Sequence, residues 1–408
     1  MDVRTLRTCF PGLDRAAYFA TAGRGPLPLD AAKAMADAAK SQCASGVPLA
    51  DPGIEVRALA AHLLDCSPEA FALAGNTSAG INLVAGSLTW KHGDNVVLCE
   101  REHPANVIPW LLQAERYPVR VRRVRPASLS ATRDALLAAV DSHTRAVAVS
   151  YVEFGTGYRN DVAALGEVVH RHGGLLCVDG IQAVGALRID LADSPIDVLA
   201  CGGYKWLCGP LGTGFTYVRP ELAAQLTPST ATYKNLSDEG DREVQDVIRT
   251  AATYPDRGIL LAEDRRRFET PKPSPILYNG LAASLRLIVR AGAEAIEERI
   301  LGLVARFLDA LAERNVPVLY PLDEKHRSGI VCVAIPASTT DPARCEAIEN
   351  HLRDLRVLAH VRAGGVRIAI HAFNTEQEID DAAEAVRELR NWLYGDADKH
   401  GHHPSHQN

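Results

Sequence analysis

From about residue 60 to residue 220 the chain alternates helix-patterned segments with short runs that are apolar at nearly every position. Helices are expected over Thr77–Leu88, Pro104–Glu115, Arg133–Asp141 and Asp161–Arg171. Strands are expected over Asn95–Cys99, Arg145–Val152, Gly174–Val178, Asp197–Cys201 and Gly214–Val218. A strand apolar on both faces needs a layer of protein on each side, and helices returning between parallel strands supply it. The pattern predicts an α/β fold with a mostly parallel sheet, whose ligands lie at the carboxyl ends of the strands.

At 408 residues the chain exceeds one comfortable core, so two unequal domains are expected. The larger is assigned to 16–266, with the polar stretch 221–266 read as an excursion near the site entrance. After the break Thr270-Pro-Lys-Pro-Ser-Pro275, residues 267–395, together with 1–15, form a smaller α+β domain. It contains a helix over Ile276–Ala291 that continues past Gly292, strands over Gly329–Ile335 and Val366–Ile370, and a terminal helix over Glu376–Tyr394. Residues 396–408 read as a disordered tail.

A hydrophobic fraction of 47%, a charged fraction of 23% and a net charge of −6 fit a soluble globular protein and argue against a nucleic-acid partner. The start, Met1-Asp-Val-Arg-Thr-Leu-Arg7, lacks a signal peptide's apolar stretch, and no run approaches a membrane span, so a cytoplasmic location is expected. Nine scattered cysteines without a CxxC pair suggest neither disulfides nor zinc. His170 and His172 point apart on a helix, and the tail histidines are no metal site, so no metal is expected.

Lys205 lies between the apolar run Asp197–Cys201 and the glycine-rich turn Gly209-Pro-Leu-Gly-Thr-Gly214. Alone it reads as a lysine extending its amine to solvent at a strand end. Asp179, ending Gly174-Leu-Leu-Cys-Val-Asp179, changes that reading. A desolvated lysine becomes a nucleophile, and a carboxylate can hold a pyridinium nitrogen. Those are the two groups pyridoxal 5'-phosphate (PLP) requires of a protein. A nucleotide loop built on Gly209–Gly214 is the weaker reading, because such a loop opens a helix and this one leads into a strand.

Three further segments are ambiguous singly. Gly75-Asn-Thr-Ser-Ala-Gly-Ile-Asn82 is either an anion cradle at a helix start or an ordinary N-cap. His103 either stacks on an aromatic cofactor or fills a polar corner. Arg367, in an apolar strand pattern, calls for a carboxylate, either from a structural Asp or Glu or from a substrate.

Together these segments resemble the fold-type-I PLP enzymes of the class V aminotransferase superfamily, which includes cysteine desulfurases, kynureninases, isopenicillin N epimerase-like proteins and C–S lyases. The resemblance runs from Tyr18-Phe-Ala-Thr-Ala-Gly-Arg-Gly-Pro-Leu-Pro28 to His371-Ala-Phe-Asn-Thr-Glu-Gln-Glu-Ile379. It implies a seven-stranded large-domain sheet and a homodimer with active sites at the interface. It implies Lys205 as the Schiff-base lysine, Asp179 on the pyridinium nitrogen, Gln182 on the phenolic oxygen and His103 on the ring face. Thr77, Ser78 and Tyr204 would cradle the phosphate. Arg367 would bind the substrate carboxylate, and the Thr21–Gly25 loop, with Ala22 and Gly23, would line the substrate pocket.

The departures bear on reaction type. Desulfurases carry a nucleophilic cysteine shortly before the arginine motif, whereas Val357-Leu-Ala-His-Val-Arg-Ala-Gly-Gly365 has none, and Cys345 reads as helical. The expectation is therefore that the chain is not a cysteine desulfurase. Gly202 replaces a small polar residue, and Glu153-Phe154 stands where many relatives have asparagine. Pro271-Lys-Pro273 replaces a Gly-Thr-Pro phosphate contact, which leaves Lys272 to reach a phosphate across a dimer. The expected activity acts on an α-amino acid or an amino-acid-bearing natural-product intermediate through an external aldimine, leaning to β-elimination of the C–S lyase type. Transamination, epimerisation and decarboxylation-linked oxidative deamination stand as alternatives, and a non-catalytic binding relative as a different class.

Overall fold

The computed structural model describes residues 1–44, 51–269, 273–336 and 341–399. A two-residue strand, β1 (Ala17–Tyr18), precedes the strands of the large sheet. These are β2 (Phe71–Leu73), β3 (Asn95–Cys99), β4 (Arg120–Val124), β5 (Thr144–Ser150), β6 (Leu175–Asp179), β7 (Val198–Gly202) and β8 (Gly214–Val218). Their order is β2-β8-β7-β6-β5-β3-β4; β8 runs antiparallel to both neighbours and the other pairs are parallel. Val96–Leu98 and Ala146–Val149 have no exposed surface, as continuous apolar runs between two helical layers must. β4 was not foreseen, because Arg120, Arg122 and Arg123 break the apolar pattern. It lies at the sheet edge, where charge discourages pairing with another chain.

A second, antiparallel sheet comprises β9 (Ile330–Ala334), β11 (His360–Arg362) and β12 (Gly365–Ala369), with β12 in the middle. Between β9 and β11 lies β10 (Val357–Leu358), which pairs in parallel with β1 through Ala17–Val357 and Tyr18–Leu358. Ala20 then bridges Ala369. The start of the chain is thus clamped onto its far end, and residues 20–25 are carried toward the large sheet.

Helix boundaries follow local chemistry. The Asp161 side chain caps the Val162–Arg171 helix by accepting from Ala164 N–H at 3.1 Å. The segment expected as one helix over Pro104–Glu115 is a 3-10 turn, Pro104–Asn106, followed by a helix over Ile108–Arg116 with Pro109 in its first turn. The helix expected to run through Gly292 instead stops at Ala291; Gly292 adopts φ of 86°, and a new helix spans Ala293–Glu313. The excursion contains a helix over Asp238–Arg249. It contacts Gly86, the C-cap of the Thr77–Ala85 helix, where a Cβ would come within 2.6 Å of Ser229 Oγ. The terminal helix extends over Glu376–Lys399. Among the described residues no helix is long and apolar enough to cross a membrane.

Candidate active site

Parallel strands bring their ends to one edge, so residues distant in sequence share one space. Asp179 ends β6 and Lys205 stands three residues beyond β7, 3% and 7% exposed. The Lys205 ammonium makes no hydrogen bond or ion pair with the described residues, and burial lowers its pKa to about 8 against the opposing pull of Asp179. Burial raises the Asp179 carboxyl to about 6, countered by the Ile181 N–H and by Lys205. That N–H, at 3.0 Å, is the carboxylate's one hydrogen bond among the described residues.

Thr77 opens the Thr77–Ala85 helix, and its Oγ1 accepts from Gly202 N–H at 3.0 Å, locking the helix start to the end of β7. The N-cap is Asn76, whose Oδ1 accepts from Ala79 N–H at 2.9 Å. The Ser78 and Tyr204 hydroxyls, both half-buried, have no hydrogen-bond partner among the described residues. Gly202 has a steric reason: a Cβ there would lie 3.0 Å from the Tyr204 ring and 3.1 Å from Ile181.

His103 caps the turn after β3, its Nδ1 accepting from Ala105 N–H at 3.1 Å. Burial, then the positive charges of Lys205 and Arg367, lower its pKa, so the ring is neutral at pH 7. Neighbouring Glu102 is buried and accepts from Ser150 N–H at 2.7 Å, Ser150 Oγ at 2.5 Å and Asn106 Nδ2 at 3.0 Å. It joins the ends of β3 and β5 and fixes the turn that carries His103.

Arg367, on β12, is 4% exposed and reaches the large sheet. Its Nη1 donates to the Phe154 carbonyl at 2.8 Å, and the Phe154 ring meets His103 edge-on at 5.0 Å. No carboxylate lies within ion-pair distance of Arg367 among the described residues. Burial, with Arg362 nearby, lowers its pKa to about 10, which leaves it charged at neutral pH. The adjacent Glu153 turns away, accepting from Thr156 Oγ1 at 2.8 Å and lying 3.5 Å from Arg101 Nε.

Gln182 bridges two segments: Nε2 donates to the Ala22 carbonyl at 2.9 Å, and Oε1 accepts from the Trp206 indole at 2.8 Å. One amide hydrogen stays free. Gly25 N–H donates to the Tyr204 carbonyl at 2.8 Å, and a Cβ on Gly25 would lie 2.1 Å from the Lys205 carbonyl. The structure therefore brings Ala22, Gly23, Thr77, Ser78, His103, Asp179, Gln182, Tyr204, Lys205 and Arg367 to one edge of the large sheet. Lys272 lies outside the described residues. Sequence reasoning missed Trp206 and the Phe154 carbonyl, one hidden in an apolar turn and the other a backbone atom with no signature.

The family model described as aminotransferase class-V matches residues 53–381. A Methanothermobacter thermautotrophicus protein named "Probable cysteine desulfurase" is 28% identical over 350 residues, 82% of this chain and 83% of its own. A cysteine desulfurase of Klebsiella pneumoniae is 28% identical over 354 residues, 83% of this chain and 82% of its own. The solved complex of the cystine C–S lyase C-DES with its reaction product, cysteine persulfide, superposes with a TM-score of 0.80. It is 23% identical, covering 93% of this chain and 99% of that one, and shows the shared fold, PLP fold type I. These relatives correct one expectation. The missing cysteine in 357–365 was read as setting the chain apart from cysteine desulfurases, yet proteins so named match it over four-fifths of its length. One loop position is a narrower signal than similarity spread over the whole fold.

The residues present fit PLP. An unpaired buried amine and a carboxylate with a free oxygen stand at adjacent strand ends, beside a helix start with an unpartnered hydroxyl.

Proposed function

Because the chain belongs to the class-V aminotransferase family, whose members are PLP-dependent enzymes acting on amino acids, we propose that it cleaves the carbon–sulfur bond of a cysteine-type amino acid. The observation that carries this reading is Arg367, a buried guanidinium with no protein carboxylate, beside an unpaired lysine of lowered pKa. A buried charge without a partner costs several kcal/mol, and an α-carboxylate supplies the partner.

Lys205 would hold the cofactor covalently and move the proton at Cα, a task suited to an amine that is partly neutral near pH 8. Asp179, ionised at neutral pH, would hold the ring nitrogen, and neutral His103 would cover the ring face. Ser78, Tyr204 and the helix start at Thr77 would hold the phosphate, with Gln182 offering its free amide hydrogen to the ring oxygen. When bound, PLP supplies an electron sink that stabilises negative charge at Cα. Arg367 orients the substrate through its carboxylate, and the Ala22–Gly23 wall bounds the side chain.

β-Elimination, which yields pyruvate and ammonia, is the leading form of this chemistry. Desulfuration of cysteine to alanine is the second, favoured by the relatives' names. Incubating the PLP-loaded protein with cysteine, cystine and S-substituted cysteines, without a keto acid, tests both. Pyruvate or alanine with sulfur release supports C–S cleavage; turnover only with an added keto acid, or racemisation alone, refutes it. We also propose a homodimer, supported by the exposed apolar side chains of Leu29 and Leu211 and tested by light scattering.

A further inference from the structure

The mechanism above leaves His360 and Glu349 without a role. His360 is on β11 directly opposite Arg367 on β12, and residues so paired project from the same sheet face. The imidazole is 34% exposed, and its Nδ1 lies 3.3 Å from Glu349 Oε2, at ion-pair distance. The opposite edge of the ring faces the substrate wall: a Cβ on Gly23 would stand 3.3 Å from His360 Cδ2 and 3.4 Å from Nε2. Glu349 is itself held, accepting from Val361 N–H at 2.9 Å, with Arg362 Nη1 at 3.5 Å. One nitrogen of the partly exposed imidazole thus stands beside a carboxylate without a hydrogen bond to it, and the Nε2 edge lies against Gly23, where any side chain would crowd it.

The geometry points to His360 as the group that protonates the departing sulfur, with Glu349 as its positioning residue. This rests on the C–S cleavage reading. Arg367 would anchor the α-carboxylate, and His360, at the paired position one strand away, lies against the Gly23 wall that would bound the substrate side chain. In the imidazolium, the Nδ1 side of the ring lies beside the Glu349 carboxylate and the Nε2 edge lies against the Gly23 loop. Lys205 takes the Cα proton, and the electron pair left at Cα forms the Cα=Cβ bond. The Cβ–S pair leaves on sulfur, which takes the Nε2 proton and departs as a thiol. The neutral ring regains its proton from solvent at the exposed mouth.

The test compares two substrates in the PLP-loaded protein. S-(2-nitrophenyl)-L-cysteine has a leaving group stable without a proton, and S-ethyl-L-cysteine does not. For His360→Gln, kcat on the ethyl substrate is expected to fall on the order of 10²-fold, with less than about a threefold change on the nitrophenyl substrate. Glu349→Gln should show the same leaving-group dependence with a smaller loss. Binding of norleucine, which has CH2 in place of sulfur and cannot eliminate, should stay unchanged by calorimetry in both variants. Equal loss on both substrates, or weakened norleucine binding, would overturn the assignment. If the wild-type protein releases pyruvate from neither substrate, the C–S cleavage reading fails, and this inference with it.

Discussion

Arg367 Nη1 donates to the Phe154 carbonyl at 2.8 Å, so the small sheet's one inward-reaching guanidinium is oriented by the loop after β5 of the large sheet. The contact uses one donor, and the others remain for a substrate. Arg367→Ala should raise KM for carboxylate-bearing substrates on the order of 10²-fold, as loss of a charge-assisted pair implies. Arg367→Lys should recover only part, because a point charge cannot reproduce the fork. A substrate titration measures both; an unchanged KM would remove Arg367 from the binding site.

Lys205→Ala should abolish turnover and covalent PLP while leaving the circular dichroism spectrum intact. In the wild-type chain stripped of cofactor, the rate of PLP capture trapped by borohydride should rise with pH through about 8. The neutral amine is the nucleophile, so capture grows as the ammonium loses its proton. A midpoint near the ordinary lysine value of about 10.4 would show that the amine is not desolvated.

Gly25→Ala places a Cβ 2.1 Å from the Lys205 carbonyl, a backbone atom that cannot rotate aside. Overpacking of this kind costs about 1–3 kcal/mol, seen as a lower denaturant midpoint. Because the displaced atom belongs to Lys205 itself, covalent PLP should fall as well. Full retention of both would contradict the close approach.

His371 is fully buried between Trp206 and Phe373, with Nε2 3.1 Å from the Trp206 carbonyl. Burial lowers its pKa to about 4 from the ordinary 6.5. The ring is neutral when folded and protonates more readily when unfolded. Its stabilisation is therefore complete above pH 6.5 and is lost as pH falls toward 4, by roughly 3 kcal/mol from the linked shift. Acid unfolding followed by circular dichroism should be shallower across that window in His371→Asn than in the wild-type chain.

The large sheet was legible because its strands are apolar on both faces, and β3 and β8 have the expected boundaries, Asn95–Cys99 and Gly214–Val218. Asp179 and Lys205 were legible because a charged residue ending such a run is conspicuous. β4 was not, since an edge strand can carry arginines. Nor was the second role of Gln182. The same side chain serves a ring oxygen or a structural bridge, and only the positions of Ala22 and Trp206 reveal the bridge. The weight given to the missing cysteine erred because one position of a local motif was set against a pattern spanning the fold.

The pairing of β1 with β10, and of Ala20 with Ala369, has a temporal consequence. Chains are made from the amino end, and domains fold as units while synthesis proceeds. The strands that carry Asp179 and Lys205 are complete once residue 218 has emerged, whereas the wall at Ala22–Gly23 closes only when residues 357–369 arrive to hold it. A ribosome-bound chain thus completes the strands beside Lys205 early and the wall at Ala22–Gly23 last. Whatever selects the substrate is therefore the last part of the site to be built, because it needs both ends of the chain at once.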